Sequence, residues 1–381
     1  VIADAPAGEA ITAWLAAWRA AGGRPAAASV VALADAAGAF TAEPLVARHP
    51  SPPWRCAAMD GIAVRVAETH APIPISRYLT VDTGQPVAAA FDAVVPWERV
   101  SYAADGAATV SGATSTGANI REAGEDVAQG ATLLARGCRV TPERVALAAA
   151  CGHATVTVRR ARVAVLPTGD EIREPGTTLA PGEVADSNSP MLALLAAEIG
   201  ATAVRLPIVP DDGAALAGAL TAACVAADLV LVIAGSARGG RDHTRSVIGS
   251  LGTVVVDGVA LRPGHPVVLG VVADTLVVGV PGYPVSAALT FRVFGEAALA
   301  ALTEADGPPR ATIDGLAAVA IFGHPTADCL IPVTITDGRV TPRSRRGGAL
   351  RSLADADGVL AVPAGKAFAA GDPVTVERLR P

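Results

Sequence analysis

At 381 residues the sequence is longer than one hydrophobic core usually supports, so at least two cores are expected. Apolar residues make up 51% and charged residues 17%, yet no uninterrupted apolar run reaches about eighteen residues, so the expectation is a soluble, cytoplasmic chain with no membrane partner. A formal net charge of −6 leaves no general basic face for nucleic acid, so any anion site must be local.

The start, Val1-Ile2-Ala3-Asp4, has neither the basic nor the apolar region of a secretion signal. Cys56, Cys138, Cys151, Cys224 and Cys329 are scattered, without the paired spacing of a zinc or redox motif, and read as reduced thiols. From Glu9 to about Gly38 the spacing is helical, with Ile11, Trp14, Leu15 and Trp18 on one face, broken by Gly22-Gly23 and Pro25. Between about Pro44 and Arg121 short β-type runs alternate with Gly, Pro and Asp turns, which predicts a small β-rich lobe.

Residues 162–302 alternate strand and helix. The apolar runs at 162–166, 203–209, 228–233, 253–261 and 275–280 predict a parallel, doubly wound α/β/α sheet. A helix is expected from Asn188, with Ser189 as its N-cap, Pro190 in its first turn and Gly200 at its end. Another is expected from Pro284 to about Leu302. After the linker at 304–309, the strand-like runs at 329–336, 358–363 and 373–377 fit a small β-barrel or sandwich.

Ligands of such sheets bind where loops leave the carboxyl ends of the strands, and helix N-termini there offer free N–H groups to anions. The polar residues fall at those places. Thr168-Gly169-Asp170-Glu171 follows the first strand, and Asp186-Ser187-Asn188 opens the next helix. Gly235-Ser236-Ala237-Arg238-Gly239 follows the third strand, with small residues that would let backbone approach a phosphate. Pro281-Gly282-Tyr283-Pro284-Val285-Ser286 follows the last. Asp170, Glu171, Asp186 and Asp242 are carboxylates of the sort that hold hydrated Mg²⁺ against phosphate. Asp211-Asp212 reads as a helix cap.

Several of these strings resemble one family. Cys56 to Val64 is similar to S-A-M-D-G-Y-A, and Asp82 to Pro86 with Phe91 to Val95 is similar to T-G-A-P-x-P…D-A-V-V. Asn119-Ile120-Arg121 with Gly124-Glu125-Asp126 resembles N-I-R…G-E-D. Thr168 to Glu171 resembles T-G-D-E, Asp186 to Asn188 resembles D-T/S-N, and Pro281 to Ala287 resembles P-G-N/Y-P-V-S-A. Occurring in order from about Ala10 to Leu379, they identify the chain as resembling the molybdopterin molybdotransferases of the MoeA and gephyrin E-domain type.

The resemblance implies a multidomain α/β homodimer. A helical and extended linker domain would comprise 1–43 and 122–160, an inserted β-rich domain 44–121, a doubly wound pterin-binding domain 161–305 and a C-terminal β-barrel 306–381. It implies insertion of molybdate into adenylylated molybdopterin with Mg²⁺ and release of AMP, downstream of a molybdopterin adenylyltransferase. Catalytic roles fall on Asp60, Glu98, Asp170, Glu171 and Asp242, with Asp170, Glu171 and Asp242 as metal ligands and Arg121, together with Arg262, on the oxyanion. Thr168, Gly169, Asp186, Asn188, Gly235, Ser236, Gly239, Arg262, Gly264, His265, Pro281, Gly282, Tyr283 and Ser286 would bind the pterin substrate.

Departures accompany the match. Ala237 stands where the family branch with A-G-S-S-A-G has a hydroxyl, His243 where it has an aromatic, and Arg262-Pro263-Gly264-His265-Pro266 where K-P-G-K-P is usual. Histidine, with a reference pKa of about 6.5, is not a fixed cation as lysine is. Arg346 to Leu350 replaces an S-G-x-L-like stretch. These changes keep open a second reading, a binding or scaffold protein that holds pterin or oxyanion without turnover. A third, adenylyl transfer to molybdopterin, is disfavoured by the additional domains.

Overall fold

The computed structural model describes residues 1–234, 243–305, 311–344, 346 and 348–379. At its centre is a six-stranded sheet in the order Thr202–Arg205, Arg162–Pro167, Leu229–Ala234, Thr275–Pro281, Val268–Val272, Thr253–Asp257. The inner strands are almost wholly apolar because both of their faces are covered, whereas the edge strand Thr202–Arg205 is partly exposed. Val163, Val165, Leu229, Leu231, Leu276 and Val278 face one layer, and Ala164, Leu166, Val230, Val232 and Val277 face the other.

The first four strands of that order are parallel, as expected, but Val268–Val272 runs antiparallel to both of its neighbours. The sheet is therefore mixed. The run expected as one strand at 253–261 divides: Thr253–Asp257 stays in the sheet, and Leu261–Arg262 leaves it to pair with Asp328–Cys329 of the C-terminal barrel.

Helices Asn188–Glu198 and Pro284–Thr290 cover one face, and Gly213–Ala226 and Thr244–Leu251 cover the other. The segment Pro284–Thr303 is one 20-residue helical stretch with a π-helical turn at Phe291–Gly295, where the Phe291 ring lies over Gly295. It is long and apolar enough to cross a membrane, but 67% of its most apolar window is buried inside the protein. The amino-terminal helix, Ala7–Ala20, lies against the same face of the sheet instead of forming a separate layer. Trp14 and Trp18 are buried there, and their indole N–H groups donate to the carbonyls of Gly270 at 2.7 Å and Asp274 at 2.8 Å.

The β-rich lobe holds the three-stranded sheet Leu79–Val81, Gly61–Val64, Ala93–Pro96 around Ile62, Val64, Ala93 and Val95. A smaller layer pairs Ala28–Ala32 with Thr155–Arg159 and packs on helix Pro142–Ala150, whose cap Thr141 accepts from the Arg144 N–H. In the C-terminal region five strands close on themselves. Thr312–Ala317, Arg339–Pro342, Asp328–Thr336, Gly358–Val362 and Pro373–Arg378 form a barrel around Ile331, Val333, Leu360 and Val376. Sequence patterning predicts three of these five strands.

Pro167 stands opposite Ile233, and Ala234 opposite Pro281. Three strands thus end side by side at the sheet's carboxyl rim. The loops carrying the candidate residues leave from adjacent positions.

Candidate active site

Thr168 fastens the first loop: its hydroxyl donates to the Ile233 carbonyl at 2.8 Å and its N–H to the same oxygen at 3.2 Å. Gly169 follows at φ +138°, where an added Cβ would lie 2.7 Å from Ile172 and 2.9 Å from the Glu171 carboxylate. The turn needs glycine both for conformation and for room. Asp170 accepts the Asp211 N–H at 3.2 Å. Glu171 is half-buried.

Asp186 is buried and already engaged. It accepts the Ser189 N–H at 2.9 Å and the Ser189 hydroxyl, and it pairs with Arg205 at 3.1 Å. The cap of helix Asn188–Glu198 is thus made by Asp186, and the expected cap Ser189 instead donates to it. Asn188, also buried, donates its amide N–H to the Gly282 carbonyl at 2.7 Å, tying the helix start to the loop after the last strand.

Two cavities open on this rim and share Tyr283, whose side chain is 55% exposed. The smaller, about 360 Å³, is bordered by Thr168, Glu171, Asp186, Asn188 and Gly282, with Gly348 from the C-terminal region. Gly348 lies so close to the Tyr283 ring that a Cβ there would be 3.5 Å from it. The larger, about 580 Å³, lies toward the barrel. It gathers Arg262, Gly264, His265, Pro281 and Ser286 with His324 and Cys329.

Among the described residues Arg262 has no ion-pair partner, whereas the His265 Nε2 bonds to Asp4 Oδ1 at 2.8 Å. Three buried side-chain polar atoms among the described residues have no hydrogen-bond partner: Asn188 Oδ1, Thr290 Oγ1 and His153 Nδ1. The first belongs to the wall of the smaller cavity. The second sits behind Gly264 of the larger, 3.1 Å from where a Cβ of that glycine would stand. Buried polar atoms are ordinarily paired, so these three are exceptions.

Other candidates lie apart from both cavities. Asp60 accepts the N–H and hydroxyl of Thr83 at 2.6 and 2.8 Å, which hold its carboxyl below the usual aspartate range. Gly61 pairs with Pro96, so Asp60 and exposed Glu98 share one end of the β-rich sheet. Arg121 is paired with Glu125 at 2.5 Å, and the carboxylate pushes its pKa further up. Gly235, Ser236, Gly239 and Asp242 lie outside the described residues. Among those described, no three His, Cys, Asp or Glu side chains form a metal-binding group. Sequence reasoning did not identify His324, Gly348, Thr290 or Asp4. Gly348 falls in the Arg346 to Leu350 stretch that departs from the family string, the other three stand in no chemical motif, and Asp4 is 261 residues from the histidine it meets.

Three family models match the chain in order. Residues 6–152 match the MoeA N-terminal region (domain I and II), residues 164–301 a probable molybdopterin binding domain, and residues 315–379 the MoeA C-terminal region (domain IV). Molybdopterin molybdenumtransferase 2 of Mycobacterium tuberculosis is 37% identical over 295 residues, covering 69% of this chain and 72% of that protein. Molybdopterin molybdenumtransferase of Synechococcus elongatus is 30% identical over 387 residues, covering 92% and 94%. A crystal structure of a molybdopterin biosynthesis MoeA protein from Pyrococcus horikosii superposes with a TM-score of 0.79 at 25% identity, covering 99% of this chain and 100% of that one. With the rim motifs, the closed barrel and these relatives in agreement, the chain belongs to the MoeA family of molybdenum-cofactor biosynthesis enzymes.

Proposed function

We propose that this chain inserts molybdate into adenylylated molybdopterin and releases AMP. The observation that carries the reading is the pair of cavities divided by Tyr283. Joining an oxyanion to a pterin requires two adjoining compartments, one suited to a small anion and one to a heterocycle. The larger cavity offers the guanidinium of Arg262, which has no ion-pair partner among the described residues, beside His265 and His324, donors that suit an oxyanion. The smaller offers an amide and a carboxylate beside an aromatic ring, which suits a polar heterocycle. The relatives named molybdopterin molybdenumtransferase support the same chemistry.

Asp170 and Glu171 fit a hydrated Mg²⁺. The ion takes hard oxygen donors and ordinarily uses one or two carboxylates with water and phosphate oxygens, and Glu171 borders the smaller cavity. Bound there, Mg²⁺ would neutralise charge on the phosphoanhydride. Asp242, which the family resemblance adds as a third ligand, lies outside the described residues. Asp60, Glu98 and Arg121 border neither cavity, which suits the family-derived arrangement in which a second subunit's β-rich lobe reaches the cleft of a homodimer. The adenylylated pterin would come from a separate molybdopterin adenylyltransferase.

The competing reading, a carrier without turnover, draws on the engagement of His265 by Asp4, which leaves Arg262, among the described residues, as the larger cavity's permanent cation without an acidic partner. AMP production separates the two. Purified chain with adenylylated molybdopterin, molybdate and Mg²⁺ should release AMP in proportion to molybdate consumed. Tight pterin binding without AMP would leave only the carrier.

A further inference from the structure

We infer that His324, carried by the C-terminal barrel, donates to the oxyanion in the larger cavity as a neutral imidazole, in place of His265, which stands where the family string has lysine. The inference rests on the oxyanion reading of that cavity and adds a ligand that no motif supplies.

A neutral imidazole has one N–H and one lone pair, so the partner of one nitrogen decides what the other can offer. Both histidines border the cavity, and their partners differ. The Nδ1 of His324 accepts the Thr326 N–H at 3.3 Å, and the Thr326 hydroxyl lies 3.5 Å from the same nitrogen. A nitrogen that accepts a backbone N–H carries no proton, so the ring hydrogen of His324 is on Nε2. Among the described residues nothing accepts it.

His265 is arranged the other way. Its Nε2 lies 2.8 Å from Asp4 Oδ1, so in the neutral ring Nε2 holds the hydrogen and Nδ1 keeps a lone pair. An oxyanion, itself an acceptor, finds no complement in that lone pair.

The backbone fixes His324 where it is. The Gly323 N–H donates to the Lys366 carbonyl at 2.9 Å, and the Gly365 N–H to the His324 carbonyl at 2.8 Å. A Cβ on Gly323 would stand 2.6 Å from the Lys366 oxygen, so this close approach needs glycine. The barrel thus brings a held, uncharged donor to the compartment that Arg262 borders. The hydroxyls of Tyr283 and Ser286 border it too and can add donors, but the choice between the histidines does not depend on them.

The test is equilibrium dialysis of molybdate against the full chain at pH 8, where an unperturbed imidazole is neutral. His324→Leu should weaken binding about ten- to a hundredfold, the loss of one hydrogen bond to a charged group. His324→Gln, whose amide nitrogen can replace Nε2, should recover most of it, and His265→Leu should cost less than His324→Leu. A nitrogen-15 spectrum of the unaltered protein's imidazoles should place the His324 hydrogen on Nε2 and show that signal moving when molybdate is added. A merely structural histidine would not respond in that way. Unchanged binding by His324→Leu, an equal or greater loss in His265→Leu, or a His324 hydrogen on Nδ1 overturns the inference. If His324→Leu does not fold, the spectrum decides. Molybdate binding that is absent from the unaltered chain, or that Arg262→Leu leaves intact, refutes the oxyanion reading as well.

Discussion

Asp186 is a residue for which family motif and structure suggest different roles, and its substitution separates them. The motif places it against the substrate, whereas its oxygens hold Ser189 at the start of helix Asn188–Glu198 and pair with Arg205. Asp186→Ala removes a helix cap, worth about 1 kcal/mol. It also removes one partner of a buried ion pair, a loss that usually costs about 3–5 kcal/mol. Here the second figure shrinks, because Arg205 remains 28% exposed and keeps Glu174 at 2.6 Å. Roughly 1–2 kcal/mol is then expected from the ion pair, and roughly 2–3 kcal/mol in all. For a domain of this size the loss corresponds to a fall of roughly 5–10 °C in melting temperature. Trp14 and Trp18, buried beneath the central sheet, report its unfolding by fluorescence, though half-exposed Trp54 and Trp97 add a background from the β-rich lobe. Asp186→Asn retains an oxygen for the Ser189 N–H and should lose only about half as much. A variant Asp186→Ala within about 0.5 kcal/mol of the unaltered protein, yet unable to bind pterin, would refute the scaffold role.

Two further substitutions test how the layers are joined. Trp14→Phe keeps an aromatic under the sheet but strips the donor from the Gly270 carbonyl and leaves a void, so a loss of about 2–4 kcal/mol is expected in urea unfolding. Glu304 is held below the ordinary glutamate range first by its bond from Arg136 and then by Arg159. A depressed folded-state pKa gives stability that is present above the unfolded value of about 4.3 and lost as pH falls through the folded one. Glu304→Gln should therefore lower stability at neutral pH and flatten its dependence below about pH 4.3, as followed by acid titration of the melting temperature.

Much of the central sheet was legible because each strand is a short apolar run closed by a polar loop. What escaped was a strand and its direction. Val268–Val272 and Thr275–Pro281 are joined through Ala273-Asp274, with Ala273 at φ +52°, so the hairpin lacks the glycine or asparagine that announces such a turn. Two barrel strands were hidden for a different reason: Thr312–Ala317 alternates weakly, and Arg339–Pro342 is only four residues long. The site was legible where a motif encloses its own chemistry, as at Thr168 to Glu171 and Pro281 to Ser286. It was illegible where partners come from distant segments. No local pattern says that Asp186 will meet Arg205, that Asp4 will meet His265, or that Gly348 will lie on Tyr283.

The departure of Leu261–Arg262 from the sheet explains how the two cavities differ. Arg262 is aligned with Cys329 on barrel strand Asp328–Thr336 and borders the larger cavity, so backbone pairing with the barrel sets where its backbone stands. His324 and Cys329 reach the same cavity from the barrel side. The larger compartment is therefore a joint product of sheet and barrel. The smaller compartment is built mainly from loops anchored on the sheet itself, through Thr168 to Ile233 and Asn188 to Gly282. Tyr283, between a sheet-anchored turn and Gly348, is the one wall common to both. Arg262 and His265, which stand where the family string K-P-G-K-P has its lysines, therefore both fall in the compartment that sheet and barrel build together.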